Sequence, residues 1–262
     1  MPTVFALACH PDDIEFGMSG TLLLLQQQGW DLHYMNIANG SLGTDEYSRE
    51  EIIHIRTEEA RKAATSIGAV FHAPLVDDYN VFFEKETLAK IASIVRRVAP
   101  DILLLQSPLD YMEDHQNASR LGIAAAFCRG MINMPVDPPV SPINKDIVLY
   151  HAQPHGNRDM LRRIVHAGIY VNIAGVLKQK RAMLANHESQ KNWLDVSQGM
   201  DSYLISMEET AKETGKLSGR YEYAEGWRRH YHIGFSRTET DPLVETLKEN
   251  AFINEEYEKN CR

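Results

Sequence analysis

At 262 residues the chain is long enough to bury a sizeable core, and its 44% apolar and 24% charged residues are ordinary for a globular protein. A net charge of −9 argues against a nucleic-acid partner, which asks for a basic face. Cys9, Cys128 and Cys261 share no CxxC spacing and cannot all pair, so no disulfide framework is expected; no apolar run reaches the roughly 18 residues of a membrane span.

In chain order, the apolar residues 4–9 predict a first strand. No basic segment precedes them, which argues against a signal peptide and makes a cytoplasmic location the expectation. Residues 14–29 predict a helix ending at Gly29, and residues 32–38 a second strand that runs into a loop holding Gly40 and Gly43. Ser48 and Glu51 have the S-x-x-E form of a capping box. The helix it opens places Ile52, Ile55, Ala63 and Ile67 at the helical period and closes at Gly68. Residues 70–76 predict a strand, at a sheet edge because of Pro74. Residues 87–98 predict a helix stopped by Pro100, residues 102–105 a short buried strand, 121–128 a helix and 147–151 a further strand. Later, residues 173–186 and 201–214 predict helices, and the proline-rich stretch 135–142 is too short for a linker. Strands alternating with helices imply βαβ units and a parallel sheet, hence an α/β fold in a single domain over residues 1–262.

In such sheets ligands bind beyond the carboxyl ends of the strands. His10, Asp12 and Asp13 follow the first strand, and Asp110, Glu113, Asp114 and His115 follow the strand at 102–105. If those strands are neighbours, the clusters converge. Two histidines and a carboxylate suit a catalytic zinc with one position open to water, and a spare carboxylate can serve as base. On spacing alone the alternative stays open, that these are polar residues tolerated where the sheet meets solvent.

His10-Pro11-Asp12-Asp13, with Glu15 and Ser19-Gly20, resembles the AHPDDE…GG signature of the PIG-L/LmbE family of metal-dependent N-deacetylases. NGSLGT (39–44), RTEEARKAATSIGA (56–69), PDILLLQSPLDYMEDH (100–115), NHESQ (186–190) and YAEGWR (223–228) follow in the family's order, so the resemblance spans nearly the whole chain. It implies a Rossmann-like, mostly parallel sheet with flanking helices and a metal site at the carboxyl ends of the strands. It assigns His10, Asp13 and His115 as ligands of Zn²⁺, or of another divalent ion such as Fe²⁺, and Asp12 as the general base. The implied reaction removes the acetyl group from an N-acetylglucosamine-type sugar or conjugate. The alternatives are an amidase acting on a thiol-sugar conjugate and a non-catalytic metal- or sugar-binding relative; the presence of Asp12 favours the enzyme. The expected partner is a small amino sugar, without nucleic acid or membrane, and a homo-oligomer is left open.

One departure stands out. The family's H-P-D-H reads Met112-Glu113-Asp114-His115, so a thioether replaces a histidine expected to assist as a protonated or charge-relaying group. Tyr111, His151, His155 and His187 are the candidates to replace it, although His151 and His155 read more readily as structural. Arg56, Tyr111, Asp114 and His187 are assigned to substrate binding; the alternative for Arg56 is a surface cation paired with Glu59. Glu15 is expected to cap the following helix, Cys9 to be an inert core thiol, and the aromatics of DYNVFFEKE (78–86) to form a local core, with a sugar-pocket floor as the alternative.

Overall fold

The computed structural model describes residues 1–198 and 202–261. Its first half alternates β1 (Thr3–Ala8), α1 (Asp13–Gly17), α2 (Ser19–Gln27), β2 (Asp31–Asn36), α3 (Arg49–Ser66), β3 (Val70–His72), α4 (Lys85–Val98), β4 (Ile102–Leu105), α5 (Glu113–Phe127) and β5 (Val148–Ala152). The second half adds β6 (Ile169–Asn172), α6 (Leu177–Leu184), α7 (Glu188–Gln198), α8 (Ser202–Ser218), β7 (Ala224–Arg229), α9 (Pro242–Leu247), β8 (Ala251–Ile253) and α10 (Glu255–Asn260). All eight strands join one sheet in the order β3-β2-β1-β4-β5-β7-β6-β8. The β3-to-β5 portion is parallel, and β7, β6 and β8 extend it antiparallel. The mostly parallel, helix-flanked sheet expected from the sequence is present.

Both faces of this sheet are covered, which is why its central strands read as unbroken apolar runs. Val4, Ala6 and Ala8 of β1 face Leu22 and Leu25 of α2, Ala60 and Ala64 of α3 and Met183 of α6. Phe5 and Leu7 face the other way, onto Ile91 and Val95 of α4 and Ala118 and Leu121 of α5. Because β1 and β4 pair directly, with Leu7 opposite Leu105, the loops that follow them open at the same end of the sheet. Gly122 matters to this placement. A Cβ there would collide with Leu105 and crowd Leu7, so the glycine lets α5 and its first-turn His115 lie close on the sheet.

Several boundaries differ from expectation for identifiable reasons. The helix expected over 14–29 is two helices, broken at Met18 (φ −135°). The Lys180 ammonium takes the Glu15 and Phe16 carbonyls, while the Glu225 carboxylate takes the Gly20 and Thr21 N–H groups. A buried ion pair thus completes both helix ends in place of a continued turn. The helix expected over 121–128 starts at Glu113, because its first two turns are polar and show no apolar period. The strand expected over 70–76 ends at His72, before Pro74, and resumes only as a bridge from Ala38 to Val76; β3 is the edge strand that Pro74 implied. The helix expected over 173–186 begins at Leu177, after strand β6, and that over 201–214 runs from Ser202 to Ser218, Asp201 lying outside the described residues. The capping box is present, with Ser48 and Glu51 each bonding the other's backbone N–H. Among the described residues, no helix is long and apolar enough to cross a membrane.

Candidate metal centre

His10 leaves the end of β1, and the chain turns into α1 through Asp12, whose φ of 108° lies in the left-handed region. That turn sends two adjacent carboxylates to different partners. Asp13 Oδ2 accepts the His10 N–H at 2.6 Å, and its Oδ1 lies 3.4 Å from His115 Nε2. His10 Nδ1 and His115 Nε2 are 3.2 Å apart. One donor atom from each of His10, Asp13 and His115 lies within 4.8 Å of the others.

The remaining ring nitrogens are already engaged. His10 Nε2 lies 3.2 Å from Asp114 Oδ2, and His115 Nδ1 lies 2.9 Å from Asp110 Oδ1. A carboxylate on the distal nitrogen fixes a metal-binding histidine's tautomer and aims its other nitrogen. Asp110 is held in turn by the N–H groups of Met112 and His155, both at 3.1 Å, and Asp114 by that of Tyr79 at 2.7 Å. The local field also suits a cation. Burial works against charge on His115, but Asp13 and Asp110 outweigh it and raise its pKa. Burial likewise opposes ionisation of Asp13, yet His115 and His10 hold its carboxyl well below the usual range. The donor set therefore fits a divalent ion. A second grouping, Cys9, His10 and Asp114, is also compact. There, burial pushes the Cys9 thiol up to about 12.

Asp12 stands beside the trio. Its Oδ2 accepts from the Tyr203 hydroxyl at 2.7 Å and lies 3.6 Å from Arg56 Nη2. Burial raises its pKa against the pull of Arg56, which suits a proton acceptor. Arg56 itself is 3% exposed, so the surface pairing with Glu59 does not occur. It threads between Gly40 and Gly43 to reach the Pro11 carbonyl at 2.6 Å; a Cβ at either glycine would strike the guanidinium or its stem. Glu59 instead receives the Ser189 N–H and hydroxyl.

Behind Asp12 lies a buried group that was not foreseen. Glu15 is fully buried and does not act as a helix cap: its Oε2 accepts from Tyr34 at 2.9 Å and pairs with His187 Nε2 at 3.3 Å. Burial disfavours charge on His187, but Glu15, and Asp12 after it, prevail and raise its pKa.

These groups surround a cleft of about 440 Å³ that takes in His10, Asp12, Asp13, Arg56, Tyr111 and His115. Met112 and His155 also reach it, whereas Asp114, His151 and His187 do not. Asp114, assigned to substrate from the sequence, lies outside the cleft lining with its Oδ2 on His10 Nε2, and Glu113 faces solvent. His151 packs between Gln106, Ser119 and His230, a structural setting. His187 is fully buried against Glu15 and does not line the cleft. The aromatics of 78–86 are no local core either: Tyr79, Phe82 and Phe83 are exposed. Tyr203 and Lys180 carried no motif signal, whereas Glu225 falls inside the YAEGWR stretch (223–228); the fold brings all three to the site.

Fold and donors together define an α/β protein with a His–Asp–His group able to hold a metal ion and an aspartate beside it. The family described as PIG-L, GlcNAc-PI de-N-acetylase, matches residues 5–126. The diacetylchitobiose deacetylase of Thermococcus kodakarensis is 31% identical over 232 residues, which make up 86% of this chain and 82% of that protein. The chain belongs to the PIG-L family. Among solved structures, the N,N'-diacetylchitobiose deacetylase of Pyrococcus horikoshii shares the fold with a TM-score of 0.74 at 21% identity, covering 92% of this chain and 88% of that one. So does a 4-carboxy-2-hydroxymuconate hydratase of Pseudomonas putida, with a TM-score of 0.73 at 20% identity, covering 92% and 99%.

Proposed function

We propose that the protein is a metal-dependent hydrolase that removes the acetyl group from an N-acetylglucosamine-type sugar or conjugate. The observation that carries this reading is the separation of two neighbouring carboxylates, Asp13 turned to His10 and His115 and Asp12 turned to Tyr203 and Arg56. His10, Asp13 and His115 would hold a divalent cation, with zinc the first choice and Fe²⁺ the alternative, and it would supply Lewis acidity there for acidifying water and for sharing the charge that develops on the amide oxygen.

The chain's own groups complete the reaction. Tyr203 and Arg56 hold Asp12 Oδ2, which turns its Oδ1 to the proton of the attacking water. Asp12 then returns that proton to the amide nitrogen, and the amine leaves. Tyr111 lines the same cleft with its ring 6.0 Å from that of His115. Partial burial, with Asp13 and Asp110 nearby, pushes its phenol up to about 12, so it stays a neutral hydrogen-bond donor for the substrate carbonyl. Arg56 offsets the negative charge around Asp12. Of the histidines considered in place of Met112, His155 is the one that reaches the cleft, its ring centre 5.1 Å from that of Phe16 and 5.9 Å from that of Tyr111, tilted against both.

The test is to incubate the zinc-loaded protein with N-acetylglucosamine, its glycosides and diacetylchitobiose, and to quantify primary amine and acetate. The expected result is equal release of both from at least one of them. No amine from any N-acetylated sugar, with water added instead to an unsaturated hydroxymuconate-type acid, would contradict the proposal.

A further inference from the structure

The mouth of the cleft carries side chains that the chemistry at Asp12 does not use. Tyr79 is 64% exposed and Leu42 58%, and both line the opening. Asp78 laces their two loops together. Its Oδ1 accepts the Gly40 N–H at 2.8 Å and its Oδ2 the Leu42 N–H at 3.0 Å, while its own N–H donates to Ser41 Oγ at 3.1 Å. Tyr79 has a φ of 60°, a left-handed backbone that a tyrosine keeps only where its surroundings impose it. The restraint comes from Asp114, whose Oδ2 accepts the Tyr79 N–H at 2.7 Å and also lies 3.2 Å from His10 Nε2. The carboxylate that orients His10 therefore also sets the Tyr79 ring at the opening. Core packing does not explain this strain, because most of the side chain faces solvent.

We infer that Tyr79 and Leu42 form an outer subsite for a flat, apolar aglycone carried by the amino sugar; this rests on the deacetylase reading above. The neighbouring carboxylates are committed elsewhere. Asp78 serves the two loop N–H groups, and Asp110 serves His115 and the N–H groups of Met112 and His155. At the rim, Tyr79 and Leu42 themselves offer aromatic and aliphatic surface. Those surfaces suit an apolar group, whereas a second sugar ring needs partners for its hydroxyls.

Calorimetry on zinc-loaded Asp12→Asn protein, in which turnover is expected to be slow enough for binding to be read, gives the test. Its probes are para-nitrophenyl N-acetylglucosaminide, N-acetylglucosamine and diacetylchitobiose. The preference for the aryl glycoside over the free sugar should fall roughly two- to tenfold in Tyr79→Ala and persist in Tyr79→Phe. Tyr79→Gly, which relaxes the backbone, should lose the same preference while keeping or raising Tm. An unchanged preference in Tyr79→Ala would overturn the subsite, as would a loss confined to diacetylchitobiose. If the wild-type protein releases amine from no N-acetylated sugar, the deacetylase reading fails, and the affinity ratios still decide the subsite by themselves.

Discussion

Replacing Asp12 by asparagine is expected to lower kcat by about 10²–10⁴-fold, the usual worth of a general base, while metal affinity changes little. Asp12 is not one of the three converging donors, which come from His10, Asp13 and His115. Asparagine keeps the volume and can still accept the Tyr203 hydroxyl, now 2.7 Å from Oδ2. What it loses is the capacity to take a proton. The check is a turnover assay beside a zinc titration of the same preparation. If zinc affinity is lost together with activity, Asp12 and Asp13 have exchanged roles.

A second large effect is expected on stability. Lys180 is fully buried and spends its three N–H bonds on Glu15 O, Phe16 O and Glu225 Oε1, at 2.8, 2.8 and 2.7 Å. Glu225 also accepts from Gly20 N–H, Thr21 N–H and the Thr21 hydroxyl at 2.8, 2.7 and 2.6 Å. Lys180→Met leaves that carboxylate buried without its cation, and breaking such a pair costs about 3–5 kcal/mol. For a chain of this size that corresponds to a fall in Tm of roughly 6–20 °C. Adding Glu225→Gln removes the stranded charge and should recover part of the loss. Thermal unfolding of the wild type and these two variants checks this; a Lys180→Met protein as stable as wild type would show that the pair does not join α1 to α2. Because α1 carries Asp13, zinc affinity should fall alongside stability.

The parts of the site legible in the sequence are those whose chemistry is compressed into a few neighbouring residues. His10, Asp12 and Asp13 stand together after an apolar strand, and His115 closes a second acidic cluster after another. The pairing of β1 with β4 then brings the two clusters to one end of the sheet. Hidden were the groups that act across the fold. Tyr203 reaches Asp12 over 191 positions, and Glu225 reaches Gly20 over 205. Neither separation leaves a local pattern. Glu15 reads as a helix cap because a glutamate near a helix start usually is one. Here Tyr34 and His187 draw it inward instead. Of the antiparallel strands, β6 and β8 escaped because they are short, and β7 (AEGWRR) because it mixes charged residues into a buried run. Glu225 is buried there against Lys180 and the Gly20 and Thr21 N–H groups, and the Thr21 hydroxyl meets both Glu225 and Trp227.

On the proposed mechanism, His10, Asp13 and His115 hold the metal while Asp12 remains free of it. Anomalous diffraction from a crystal of the zinc-loaded protein, recorded on both sides of the zinc absorption edge, tests this most directly. The predicted result is a peak about 2.0–2.2 Å from His10 Nδ1, an Asp13 carboxylate oxygen and His115 Nε2, with Asp12 outside bonding distance. A peak bonded instead to Asp12, or to Cys9 and Asp114 on the far side of the His10 ring, would contradict it.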